Sequence, residues 1–316
     1  MSVPGRMNKN KLTITALIFL ICCSLLTHSL VQAAILRAGV IYPQSATAFK
    51  RVFEQIITGI HNEQGIEPLL LQTNASTDVN DVEDWVDDNK PDVVITLGSS
   101  PIELVKKLRH KPPVVSGAVL GEGDDTYGLS LAGQPLMYLA RLKQLSPATQ
   151  RVFLVYHRQY SQWLIPESRK AASKLGIELL VYPVESTKEG VLQLDRVIEQ
   201  ASGMKDAIWL LNDCSVSEKI SMPRLLQASW NKQFLIFGGN PLQVKKGILF
   251  ALYPDYTEMG QQLVKLARHK YAHINAKGLQ ANTALKAAIN KRTASHLGLS
   301  LGRKELNEYN LVFPTR

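Results

Sequence analysis

From Leu36 onward, short apolar runs alternate with stretches whose apolar positions recur every three or four residues. Leu36–Ile41 reads as a strand. Thr47–Gln64 reads as a helix, because Phe49, Val52, Phe53, Ile56, Ile57 and Ile60 fall on one face. Gly65 closes it, as glycine does at helix C-termini. Pro68–Gln72 is a second strand, Val79–Asp88 a second helix and Asp92–Leu97 a buried strand. Ser100-Pro101-Ile102-Glu103 has the form of a capping box with proline at the first helical position, opening a helix to His110. Pro113–Ser116 is a fourth strand.

The polar, glycine-rich run Gly121–Asp125 breaks this rhythm, and then the pattern restarts. Pro135–Leu145 is a helix, Arg151–Tyr156 a strand, Pro166–Leu175 a helix closed by Gly176, and Ile177–Tyr182 a strand. A second capping box, Ser186–Glu189, opens a helix with Val191, Leu194, Ile198 and Ala201 on one face. Ala207–Leu211, Phe234–Phe237 and Ile248–Leu252 are further strands, and Asp255–Tyr271 is the last long helix. Regular strand–helix alternation implies parallel sheets covered on both faces. A single core rarely grows past roughly 250–300 residues, and the pattern has two halves. The fold class is therefore α/β, with two doubly wound parallel-sheet lobes joined by a hinge. The expected boundaries are 34–118 for lobe 1, 119–128 for the hinge crossing and 129–252 for lobe 2. Residues 276–316 form a C-terminal segment of unassigned lobe.

The first 33 residues carry a different pattern. Arg6, Lys9 and Lys11 precede the uncharged, almost wholly apolar run Leu12–Leu26, and Val31-Gln32-Ala33 offers small residues where signal peptidase inspects. The run falls short of the ~20 residues needed to span a bilayer. A cleaved secretory leader ending at Ala33 and an exported, periplasmic product are the expectation. Met7 is an alternative start. Cys22 and Cys23 lack the small preceding residue of a lipobox.

Composition then narrows the function classes. With 45% hydrophobic and 20% charged residues, collagenous, coiled-coil and disordered readings are excluded. The formal net charge of +9 drops to +6 once the three basic residues of the leader are set aside, a mild value. Cys214 is the only cysteine outside the leader, so an internal disulfide and a thiolate metal cluster are excluded for the exported chain. There is no P-loop and no G-x-S-x-G elbow; Gly128–Gly133 misses the latter by one residue. His269 and His273 stand four apart beside Arg268 and Lys270, which suits a solvated cationic face better than a metal clamp. No catalytic residue, metal or cofactor is assigned. Nucleic acid is not an expected partner, and the chain is expected to be monomeric.

Ligands of open parallel sheets bind beyond the carboxyl ends of the strands, where helix N-termini also point. Those ends here carry Tyr42 and Ser45, Ser99 and Ser100, Tyr156 with His157, Asn212 and Asp213, and Gly239 with Asn240. Small hydroxyls and amides leave backbone N–H groups accessible, aromatics supply a flat wall, and Asp213 is suited to an ammonium group. Each residue alone would also serve as an ordinary helix cap; the signal is their convergence. Tyr42, Ser45, Ser99, Ser100, Tyr156, Asn212, Asp213 and Asn240 are the candidate ligand-binding residues.

Several segments also resemble one family. They are Ser146-Pro147 before the Arg151 strand, Ala171-Ala172 to Leu175-Gly176-Ile177-Glu178, and Lys246-Gly247-Ile248 to Phe250-Ala251-Leu252. Tyr256 to Glu258-Met259-Gly260, and Ala288-Ile289-Asn290 with Ala294 and Leu297-Gly298-Leu299, complete the set. In order and spacing the chain is similar to substrate-binding proteins of ABC transporters with a type I periplasmic-binding-protein fold, in the branch with tryptophan- and tyrosine-binding members. That resemblance implies two lobes joined by three crossings that close on a small ligand, of amino acid or small aromatic or carboxylate type, with lobe 1 completed by a return of the chain after Leu252, at about 253–275. By position it carries a ligand role onto Ser45, Ser99, Ser100, Asp213 and Asn240. It implies delivery to an ABC permease, or, alternatively, ligand sensing for a signalling membrane protein. Asn212-Asp213-Cys214-Ser215 departs from the family's aspartate-then-proline, the inter-lobe segment is short, and the tail from Arg303 has no counterpart. A hydrolase or transferase on a doubly wound fold is the remaining alternative; it needs a nucleophile–base pair in the cleft, and only His157 and Asp213 come near one, with no partner serine placed by motif.

Overall fold

The computed structural model describes residues 35–45, 47–121 and 126–315. The expected leader, with its cleavage point, lies outside the described residues, as do four residues of the expected crossing at 119–128.

All five residues of β3 (Val93–Leu97) are buried, the signature of a strand covered on both faces. It lies at the centre of a six-stranded sheet with β1 (Leu36–Pro43), β2 (Ile66–Thr73), β4 (Val114–Val119), β5 (Gly128–Gly133) and β11 (Leu279–Asn282). The order is β11–β5–β4–β3–β1–β2, and every pairing is parallel. A second sheet holds β6 (Arg151–His157), β7 (Glu178–Val184), β8 (Asp206–Leu210), β9 (Leu235–Gly238), β10 (Phe250–Pro254), β12 (Leu285–Asn290) and β13 (Leu311–Phe313). Its order is β13–β12–β10–β9–β8–β6–β7, parallel except between β10 and β12. Helices line both faces of each sheet, so the α/β class and the two doubly wound lobes are as expected.

The boundaries differ from the sequence reading. The 119–128 segment does not cross between lobes; it links β4 to β5 within the first sheet. Gly128 packs so tightly on β4 that a Cβ there would sit 1.9 Å from the Ser116 carbonyl oxygen. The glycine that looked like hinge punctuation is thus a site of close strand approach. The second lobe begins at the Pro135–Leu145 helix instead of at residue 129. The C-terminal segment divides: β11 joins the first sheet, while β12 and β13 join the second. Three crossings result, at Gln134, at Asp255 and at Thr283-Ala284. They are tied together, since Gln134 N–H donates to the Asn282 carbonyl and Asp255 N–H to the Ala284 carbonyl, each at 2.8 Å.

The helix Tyr256–Ala272 starts beside the second sheet yet covers the first. Met259, Leu263, Val264 and Ala267 pack with Phe53, Ile56 and Ile60 of the Thr47–His61 helix. The two helices touch at glycines: a Cβ on Gly260 would lie 2.1 Å from the Ile56 carbonyl oxygen, and one on Gly59 1.9 Å from that of Thr257. One helix had no apolar signature in the sequence. Glu218–Lys232 contains Pro223, and its buried face includes Ser221 and Ser229 beside Met222 and Leu225.

Caps were partly legible. Ser186 caps its helix, accepting from the Glu189 N–H, although Glu189 reaches back to the Glu185 N–H instead of to Ser186. Ser100 is not a cap. The helix is Ser99–Val105, its N-cap is Gly98 at φ 80°, and Glu103 pairs with Lys106.

Candidate functional site

Between the two sheets, at the carboxyl ends of their strands, lies a cavity of about 610 Å³, within the range of small-molecule sites. The first lobe contributes Phe49, Leu120 and Leu131 to Gly133. The second contributes Tyr138, Tyr160, Ser161, Leu164, Trp209 to Cys214 and Gly239 to Leu242, and the second crossing contributes Tyr253, Pro254 and Tyr256. Six of these side chains are aromatic. Phe49 and Leu242 are each 62% exposed although both line the cavity, so the apolar character extends to its solvent-facing parts.

The aromatic wall is braced from behind. Tyr138 packs at a tilt against Trp209 with centroids 5.2 Å apart, and Trp209 stacks on Phe237 at 5.7 Å, a chain that continues to Phe250. The Tyr138 hydroxyl donates to the Leu252 carbonyl at 2.6 Å, locking the first helix of the second lobe to β10. Burial pushes the Tyr138 phenol well above its ordinary value. Burial likewise raises Tyr256, and burial together with the nearby Asp255 carboxylate raises Tyr253. All three hydroxyls therefore stay protonated at neutral pH, as neutral donor–acceptors. The indole Nε1 of Trp209 is buried and has no partner among the described residues.

Of the eight residues singled out from sequence, three line the cavity: Asn212, Asp213 and Asn240. Asn212 is exposed there. Asn240 caps the Pro241–Lys246 helix, accepting from Leu242 N–H, and its amide donates to Glu218. Asp213 is 2% exposed and its carboxylate is fully engaged by the protein. Oδ2 accepts from His157 N–H at 2.8 Å and from the Ser161 hydroxyl at 2.7 Å. Oδ1 accepts from Ser215 N–H at 3.1 Å and from its hydroxyl at 2.5 Å. A carboxylate has about four acceptor positions, so none is left for a ligand ammonium. Asp213 is a bracket joining the ends of β6 and β8, and the expected ammonium contact is corrected accordingly.

The other five stand back from the cavity. Tyr156 is buried in the second lobe's core and donates to Gln162 Oε1 at 2.7 Å. Tyr42 packs against the first lobe's core. Ser99 and Ser100 are exposed in the first turn of their helix, and Ser45 is half-buried. Phe49, read as a core position of its helix, faces the cavity. Tyr138, Tyr160, Trp209, Tyr253 and Tyr256 were among the missed lining residues; the last four lie at or just past a strand's carboxyl end, which was the available signal. Among the lining residues there is no lysine, arginine or histidine.

A family model described as ABC transporter substrate binding protein matches residues 39–308, most of both lobes. This chain belongs to that family. No curated protein matches it in sequence. Solved structures share its fold at low identity. A conserved domain protein from Vibrio cholerae is 17% identical, with 88% of this chain and 99% of that one covered and a TM-score of 0.55. An ABC domain from Streptococcus pneumoniae in complex with L-Trp is 18% identical, with coverage of 89% and 100% and a TM-score of 0.54. The ligand-free, open structure of a substrate-binding protein with adhesive properties from Clostridium difficile is 15% identical, covered at 88% and 99%, with a TM-score of 0.58. For this substrate-binding protein the two-lobed type I architecture is therefore a family property, and the cavity occupies the space between its lobes.

Proposed function

We propose that this protein captures a small aromatic molecule between its lobes and delivers it to an ABC permease. One observation carries the reading: the inter-lobe cavity is walled by six aromatic side chains, has no cationic lining residue, and its one carboxylate is saturated by protein donors. An aromatic body is recognised there by stacking and area burial. A polar end meets neutral groups, Asn212, Asn240 and tyrosine hydroxyls, instead of a salt bridge. The L-Trp found with the Streptococcus pneumoniae relative supports an aromatic ligand class. The tied crossings at Gln134, Asp255 and Ala284 are where rotation of one lobe on the other would be absorbed. A ligand touching both walls favours the closed arrangement by its extra contacts, and closure gives the permease a distinct surface to read. Substrate-binding proteins of ABC transporters are usually extracellular or periplasmic, which supports an exported chain; no helix among the described residues is long and apolar enough to cross a membrane.

Cys214 supplies the test, because it is exposed and lines the cavity. In a chain carrying Cys22→Ser and Cys23→Ser, it is titrated with a chromogenic thiol reagent while melting is followed separately. Indole, L-tryptophan, L-tyrosine and p-cresol are compared with ribose and citrate. At least one aromatic compound is expected to slow Cys214 labelling and raise the melting temperature, since a native-state ligand stabilises by mass action. Protection by ribose or citrate with none from the aromatics would overturn the reading.

A further inference from the structure

We infer that His269 and His273 form a two-imidazole site for a late first-row divalent metal ion, with Tyr127 orienting one of the ligands. The site lies at the opposite end of the Tyr256–Ala272 helix from the aromatic cavity. At about 1.5 Å per residue the two are separated by roughly 20 Å, so the site is independent of the ligand cleft.

The backbone fixes the pair. His273 N–H donates to the His269 carbonyl at 2.8 Å, which places the two residues one helical turn apart on the same face. Their rings lie 4.7 Å apart, inclined by 46°, and both residues are exposed. His269 is also held from behind: its Nδ1 is 3.0 Å from the Tyr127 hydroxyl. Tyr127 is 6% exposed, so this partner is anchored in the first lobe's core. A phenol oxygen can accept as well as donate. When Nδ1–H donates to that oxygen, the lone pair is on Nε2, the tautomer a metal-binding histidine needs. An outer partner on the second ring nitrogen is the usual way such ligands are oriented.

The cations that made this stretch look like a solvated basic face are each engaged by the protein. Arg268 donates to the Gln64 carbonyl. Lys270 folds back on the Ile274 and Ala276 carbonyls at 2.6 and 2.7 Å, with its ammonium 5.5 Å from the centroid of the Tyr127 ring. Among the described residues no third histidine, cysteine or carboxylate completes a cluster. The remaining coordination positions thus go to water, giving an open, exchangeable site. Two imidazoles select copper(II), nickel(II) and zinc(II), with copper tightest, over oxygen-preferring magnesium and calcium.

The test is calorimetric titration of the untagged full chain at neutral pH with copper(II), nickel(II), zinc(II) and magnesium. The variants are His269→Asn, His273→Asn and Tyr127→Phe, with circular dichroism confirming the fold of each. One copper ion per chain, absent in each histidine variant and tighter than nickel, is the expected result. Tyr127→Phe should weaken binding about tenfold or more while leaving both ligands in place. Binding that is unchanged in the histidine variants, equal for magnesium, or missing in the parent chain overturns the site. Unchanged affinity in Tyr127→Phe overturns the orienting role.

Discussion

Asp213→Asn should unfold the second lobe more easily, and it should do so through the protein's own hydrogen bonds. The carboxylate accepts four of them: two backbone N–H groups, from His157 and Ser215, and the hydroxyls of Ser161 and Ser215. An asparagine keeps one acceptor oxygen and turns an NH₂ toward the other pair of donors. Two hydrogen bonds to a charged acceptor are lost, each worth roughly 1.5 kcal/mol at the low end of its range. The expected loss is therefore about 3 kcal/mol. For a lobe of this size that corresponds to a fall of roughly 6–12 °C in melting temperature. Far-ultraviolet circular dichroism on heating reads this, with urea unfolding as an independent measure. Ser161→Ala and Ser215→Ala should each give a fraction of the effect. Their losses should not add to that of Asp213→Asn, because the same bonds are being removed. A melting temperature unchanged within 1 or 2 °C, with ligand affinity reduced tenfold, would refute the bracket and restore a ligand contact for Asp213.

Gly260→Ala inserts a methyl 2.1 Å from the Ile56 carbonyl oxygen, so the two helices must separate; overpacking of this kind should cost about 1–3 kcal/mol, read as a lower urea midpoint. Burial alone would raise the Asp255 carboxyl, but the Lys286 ammonium and the Glu258 and Thr257 N–H groups outweigh it and hold its pKa below the ordinary value. A depressed folded pKa contributes stability above the unfolded value, and that contribution is lost as pH falls below about 4. Lys286→Met should flatten this part of the acid-unfolding curve. Arg151→Met removes the two-pronged partner of Asp206, whose side chain is 1% exposed; because the guanidinium itself is 42% exposed, the cost should be about 1–3 kcal/mol, below that of a fully buried pair, measured by thermal melting.

What local pattern alone determined is the set of layers. Apolar runs such as Val93–Leu97 and amphipathic stretches such as Pro135–Leu145 are readable because burial on both faces, or on one stripe, leaves a periodic trace in the chain itself. From strand–helix alternation the parallel sheets followed, and from the strand ends the general location of a site. Only the tertiary structure decided which sheet each strand joins. β5 and β11 meet far apart in sequence, and nothing in Gly128–Gly133 distinguishes a hinge from an inner strand until Gly128 is seen pressed on Ser116. It also decided which way side chains face at the cleft. Asp213 reads from sequence as a free acid at a strand end, but two of its four donors come from residues 52 and 56 positions away. Conversely Phe49 fits the apolar stripe of its helix, and only the placement of the second lobe opposite makes it part of a wall. Periodicity records how a segment meets its nearest layer. A cleft is built by long-range crossings, which leave no periodic mark.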